Sequence, residues 1–389
     1  MANRRACTDA GHLCRLAVLR LGQQRDTTRS LPPAEVMQPA DFSSRDGFQL
    51  NRRPEKRGEM MRAKTLNRIA LAVTGASAFV LVLANCGIAA PQQQSIQGKT
   101  TLNIHHPIVV TGRLGAGYLT GESYENVYDP DSGRKISQLN WDLSDIFMVG
   151  GGLSIQPVSW AKLNMDIWLK INDGDGDMVD YDWFVEGLDW THRSYTTDVD
   201  LNTGYMYDIN VEFPVFDLEG TEFSLFAGYK YDKWEWEATG GTYIYSTYYL
   251  RDTIGTLPDE TGITYEQWYH VPYIGIGFKA DLTRVTLSGR FIASPFVQAG
   301  DKDQHHLRNL VFEEDFDNGT MIGVDLNGGY HFTDQLALLF KYHYQKYNEM
   351  KGETTITDQV TGEQYYISGD AASIEHYSHL FSLAMQYTF

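Results

Sequence analysis

Cysteine is nearly absent: three occur in 389 residues, at positions 7, 14 and 86. Everything beyond Cys86 therefore lacks a disulfide and a thiolate nucleophile of its own. Basic charge is scarce too, with 32 Lys and Arg against 50 Asp and Glu for a net charge of −18. That balance argues against a nucleic-acid partner, which needs a basic stripe. Long apolar runs are also missing. Residues 69–84 come nearest, but Thr74 and Ser77 interrupt them, and they fall short of the roughly 20 residues a helix needs to cross a bilayer. What the chain does have is aromatic surface, 18 Phe, 8 Trp and 24 Tyr within a 42% hydrophobic composition, enough to exclude a disordered polypeptide.

From Met61 the sequence runs Met-Arg-Ala-Lys-Thr-Leu-Asn-Arg, then the apolar stretch, then Asn-Cys-Gly-Ile-Ala-Ala-Pro. A basic segment, an apolar segment and a small-residue cleavage zone make a secretory signal peptide over 61–90, cut after Ala89 or Ala90. Leu83-Ala84-Asn85-Cys86 resembles a lipoprotein acylation site except that Asn85 stands where a small residue is expected. Residues 1–60 have no place ahead of an export signal and read as an upstream extension or a mis-assigned start. Setting aside 1–60 (eleven basic, seven acidic) and 61–90 (three basic) leaves 18 basic and 43 acidic residues, a net −25 on residues 91–389.

This mature part alternates with period 2. Ala161, Leu163, Met165, Ile167, Leu169 and Ile171 share one face, against Lys162, Asn164, Asp166 and Lys170 on the other. Leu336, Leu338, Phe340, Tyr342 and Tyr344 repeat the pattern, and it recurs near 146–155, 201–213, 222–238, 268–281, 284–293 and 320–332. Strands of about ten residues or more suit a tilted membrane crossing better than the 5–6 residues usual in soluble sheets. Tyr229, Tyr231, Trp234 and Trp236 are expected in an interfacial girdle. The chain ends on alternating Phe381, Leu383, Met385, Tyr387 and Phe389, an ending that resembles the assembly signal of bacterial outer-membrane barrels. The fold class is therefore all-β, an antiparallel transmembrane barrel. Segments 184–198, 247–266 and 350–375 read as long rim segments whose conformation the pattern does not provide.

Two short constellations carry candidate chemistry. Asp180 and Asp182 stand at i and i+2, as do Asp303 and His305, and such pairs share a face of an extended chain. A histidine beside a carboxylate is oriented for proton transfer, although an isolated Asp-x-Asp or Asp-x-His is ordinarily only part of a wet acidic loop. The run Asp173-Gly174-Asp175-Gly176-Asp177 lacks the glycine and the terminal glutamate of a calcium loop. His105-His106 and His305-His306 lack metal-ligand spacing, and no nucleophile elbow is present.

At these residues the chain resembles the omptins, outer-membrane endopeptidases of Gram-negative bacteria. The resemblance runs from Tyr118 to Phe389 through Gly133-Arg134-Lys135-Ile136-Ser137-Gln138-Leu139-Asn140-Trp141, the Asp180/Asp182 segment, Gly240-Gly241-Thr242-Tyr243-Ile244-Tyr245-Ser246, Val271-Pro272-Tyr273-Ile274-Gly275, the Asp303/His305 segment and Gly369-Asp370-Ala371-Ala372. It implies ten strands and a groove at the extracellular rim. It also implies a water attacking the scissile carbonyl between Asp180 with Asp182 on one wall and Asp303 with His305 on the other. His305 would act with Asp180 as the base, Asp303 would orient the imidazole, and Asp182 would position the attack. No metal or other cofactor is implied. Glu125 and Asp301 would form the pocket for Lys or Arg before the cut. The position tied to a basic residue after the cut holds His192 instead of a carboxylate, which puts dibasic specificity in doubt.

Lipopolysaccharide on the barrel exterior, required for activity in this family, is the implied partner besides peptide or protein substrates. Tyr229 and Lys233 match that site, while Tyr231 and Trp268 stand where Glu and Arg are typical. Two other readings compete with a peptidase: a catalytically silent surface barrel or adhesin on the same fold, and a passive porin, which a narrow ten-stranded lumen disfavours.

Overall fold

The alternating segments become strands whose apolar faces point outward. The computed structural model describes residues 108–389; the segments 61–90 and 1–60, read above as a signal peptide and an upstream extension, lie outside the described residues. Thirteen strands follow: β1 Val109–Tyr128, β2 Lys135–Val158, β3 Ala161–Lys170, β4 Gly176–Asp182, β5 His192–Leu218, β6 Thr221–Thr239, β7 Thr242–Tyr245, β8 Thr253–Thr256, β9 Thr261–Leu282, β10 Val285–His305, β11 Leu310–His331, β12 Leu336–Asp358 and β13 Gln364–Thr388. All pairings are antiparallel. The ring runs β1-β2-β3-β5-β6-β9-β10-β11-β12-β13 and closes from β13 back to β1, giving ten positions.

One ring position is split. The end of β2 bearing Val158 pairs with β3, and the end bearing Ser137 pairs with β4. On the other side β5 likewise meets β3 and then β4. The Asp-Gly-Asp-Gly-Asp run supplies the break between them, with Gly174 at φ +78°. β7 and β8 form a hairpin standing on the edge of β5.

Outward side chains settle why this sequence is a membrane barrel. Met165, Ile274, Ile276, Phe291, Leu326, Phe340, Leu383 and Met385 are exposed, whereas their neighbours Asn164, Ala337, Gln345 and Ser382 are buried inside. Such an inversion is stable only where the outside is hydrocarbon. Most ring strands run 19–27 residues, about twice what a crossing needs, so half of each wall rises beyond the apolar band. This accounts for the rim segments: β12 extends to Asp358 and β13 starts at Gln364. Their walls have water on the outside, so no apolar face marks them as strands.

Inside the apolar band the lumen is packed with charge. Arg290 pairs with Asp208 at 2.8 Å and with Asp325 at 2.7 Å, and Asp325 also meets His343 at 2.8 Å. Arg113 pairs with Asp166 at 3.1 Å. Above them lies an aromatic layer: Trp141 stacks on Tyr265, Tyr269 on Tyr347, and Trp234 on His376. Trp234 and Trp236 thus depart from the girdle expectation. They have the opposite parity to Tyr229 and Tyr231 on β6, so they point into the lumen and are fully buried.

Candidate active site

The site forms at the end of the barrel where the connections are long, above the aromatic layer. The opposite end is closed by short turns, among them Glu219-Gly220, where both residues have positive φ as a type I′ hairpin turn requires. Short turns on the periplasmic side and longer loops outside are the pattern of outer-membrane barrels.

Strand β4 presents Asp180 and Asp182 on one inward face. Asp180 is buried, and Ser137 Oγ on β2 donates to its Oδ1 at 3.4 Å. Four ring positions away, β10 presents Asp301, Asp303 and His305, all buried and all inward by the same two-residue period. His305 Nε2 lies 2.5 Å from Asp303 Oδ2, and Phe312 meets the imidazole edge-on at 5.4 Å. The carboxylate therefore fixes the ring.

The two walls act on each other. Burial raises the pKa of Asp180; Arg308 and His305 oppose the rise and Asp303 adds to it. Asp182 is pushed well above the usual carboxylate range by burial and by the charge of Asp180. The sequence motifs thus come together as two facing pairs. Sequence reading missed Arg308, whose charge reaches both aspartates from the turn after β10, and Ser137, whose hydroxyl gives no pattern signal.

Glu125 on β1 and Asp301 also share a space. Both are nearly fully buried, and Glu125 Oε2 and Asp301 Oδ1 have no hydrogen-bond partner. Asp301 Oδ2 accepts from Tyr265 OH at 3.0 Å. Burial, then Asp303 and Asp301, raise Glu125 well above its ordinary value. A cationic side chain entering here would satisfy both lone carboxylate oxygens.

The rim on the β4–β5 side is built differently. His192 faces Asp182 across the β4–β5 pairing, its ring lying 4.9 Å from Phe184 and 5.0 Å from Tyr245. Burial and Arg308 lower its pKa. Tyr245 arrives on the β7–β8 hairpin, which Gly240-Gly241 bends onto β5. Gly241 has φ +118°, and a Cβ there would lie 2.6 Å from the Tyr195 carbonyl oxygen. Arg251 then clamps the hairpin, its guanidinium 3.5 Å over Trp190 and bonded to the Trp190 carbonyl and Asp189.

On the exterior, β6 turns Tyr229, Tyr231 and Lys233 outward. Tyr229 OH lies 2.5 Å from His270 Nδ1, and Lys233 pairs with Glu266 at 2.8 Å.

A sequence model of the Omptin family matches residues 106–389. The plasminogen activator of Yersinia pestis is 33% identical over 285 residues, covering 73% of this chain and 90% of the relative. The outer membrane protease OmpP of Escherichia coli K12 is 29% identical, covering 78% of this chain and 97% of its own length. The crystal structure of the outer membrane protease OmpT from Escherichia coli superposes with a TM-score of 0.69 at 26% identity, covering 72% of this chain and 97% of that one.

Proposed function

The chain belongs to the omptin family of bacterial outer-membrane proteases, and on that premise we propose that it is an endopeptidase that cuts after arginine and lysine at an extracellular groove, with Asp180, Asp182, Asp303 and His305 as its catalytic residues. The observation that carries this reading is the 2.5 Å Asp303–His305 contact on a wall that faces the buried Asp180.

With Nε2 engaged by Asp303, His305 keeps Nδ1 for chemistry. A water between Nδ1 and Asp180 gives its proton to the imidazole as its oxygen attacks the scissile carbonyl carbon. Asp303 stabilises the imidazolium so formed. Asp182, pushed above the usual carboxylate range by burial and the charge of Asp180, positions the attack beside Asp180. The imidazolium then protonates the departing amine, the C–N bond breaks and both product ends are released. No covalent enzyme intermediate forms.

Glu125 and Asp301 receive the basic side chain before the cut. On the other side His192 stands where a carboxylate would favour a second basic residue, so no preference for a dibasic cut is expected. Lipopolysaccharide is the proposed exterior partner at Tyr229 and Lys233, where its phosphates would compete with Glu266 for the ammonium.

The test is cleavage of a fluorogenic peptide containing one arginine by the refolded barrel, with and without lipopolysaccharide, beside the His305→Ala variant. Cleavage after arginine that the variant loses is expected. A folded barrel that leaves the peptide intact under both conditions refutes the reading.

A further inference from the structure

Asp301 and Glu314 stand directly opposite each other across the β10–β11 pairing, both nearly fully buried. Side chains so paired have Cβ atoms about 5 Å apart, and like charges there repel. Asp301 Oδ2 is held to the wall by Tyr265, while Asp301 Oδ1 and Glu314 Oε2 lack partners, as does Glu125 Oε2. Their unpartnered oxygens share one buried stretch of the inner wall, and the charge of Glu314 acts directly on Asp301. Two carboxyls buried side by side relieve their repulsion by keeping a proton between them.

Resting on the reading of Glu125 and Asp301 as the pocket for a basic side chain, we propose that Glu314 is a third specificity residue of that pocket. In the free enzyme it shares a proton with Asp301, and the arriving guanidinium or ammonium displaces that proton into solvent. Recognition of arginine or lysine is therefore coupled to proton release.

The surroundings of Glu314 support this. Asp301 and Asp303 face it from β10, the neutral Thr354 stands opposite it on β12, and Glu125 comes from β1. Among the described residues the groups that act on it are Asp303, Asp301 and Thr354, none of them cationic, while Arg308 acts on Asp180, Asp182 and His192. Burial, reinforced by Asp303, pushes Glu314 up to about 8 although Thr354 and Asp301 pull the other way. At neutral pH the pair therefore keeps its proton until a positive charge takes its place. The proton belongs to the set of coupled carboxyls, not to one oxygen.

KM for an arginine peptide and for its neutral citrulline counterpart, measured from pH 6 to 9 on the wild type and on Glu314→Gln, tests the proposal. The wild-type KM for arginine should fall as pH rises. Glu314→Gln should match the wild type at pH 6 but show a KM about tenfold higher at pH 9, the loss expected for one charge-assisted contact, with kcat unchanged. The citrulline KM should not respond. A second measurement needs no substitution: binding heats of a non-cleavable arginine peptide in two buffers of different ionisation enthalpy should report about one proton released at pH 7. An arginine-selective enzyme whose KM is flat with pH, or whose binding releases no proton, overturns the shared proton alone. Equal treatment of arginine and citrulline by the wild type overturns the basic-residue pocket, and this inference with it.

Discussion

His192 stands directly across the β4–β5 pairing from Asp182, its imidazole between Phe184 and Tyr245. Burial and the charge of Arg308 both lower its pKa, so the ring is neutral at pH 7 and offers a second basic residue no counter-charge. Peptides with Arg-Arg at the cut should be cleaved no faster than those with Arg-Ala. His192→Asp should shift that ratio about tenfold towards Arg-Arg. A ratio unmoved by the substitution places the subsite elsewhere.

His305→Ala and Asp180→Ala should each lower kcat by about 10²–10⁴-fold while the barrel keeps its heat-modifiable mobility on a gel. Because Asp180 must be ionised to help the water, and its pKa is raised, kcat of the wild type should decline as pH falls from neutral, starting above the ordinary carboxylate range. Near-wild-type turnover in either variant removes the assigned role.

Glu125→Ala should raise KM for arginine peptides about tenfold or more and leave neutral peptides unaffected. Initial rates over a range of both substrates decide it, and an equal rise for both relocates the pocket.

The buried acids of the rim also set a pH dependence of stability. Glu314 has a folded pKa of about 8 against an ordinary 4.5, and Glu125, Asp182 and Asp301 are raised in the same direction. The folded state thus binds these protons more tightly than the unfolded chain. The contribution is complete below about pH 4.5 and is lost as pH rises through about 8. Urea midpoints of the detergent-solubilised barrel should be higher at pH 5 than at pH 9, with the difference reduced in Glu314→Gln. A midpoint that climbs with pH contradicts the sign.

Arg290→Met should destabilise the lumen, since it removes the cation shared by Asp208 and Asp325 and leaves Asp325 with only the His343 pair at 2.8 Å. Breaking a buried pair from one side costs about 3–5 kcal/mol. The loss should appear in the unfolding midpoint, while molecules that remain folded cleave the arginine peptide normally.

The membrane-level strands were legible because lipid outside and charge inside impose strict alternation, as in 161–171 and 336–344. The two pairs proposed as catalytic stand in the sequence as i, i+2 motifs, and the structure sets them on facing walls. Trp234 was misplaced because an aromatic suits a girdle and a lumen equally well, and only its parity relative to Tyr229 separates them. Glu314 was within reach of simple counting: the four-residue turn 306–309 sets His305 opposite Leu310 and therefore Asp301 opposite Glu314. Arg308 and the β7–β8 hairpin were not, since their positions depend on contacts between loops distant in the chain.

The charged plug around Arg290 also decides where the products go. With the lumen filled at membrane level, a severed peptide has no route through the wall of the cell and leaves by the mouth it entered. A protease on this barrel therefore returns its fragments to the side from which the substrate came.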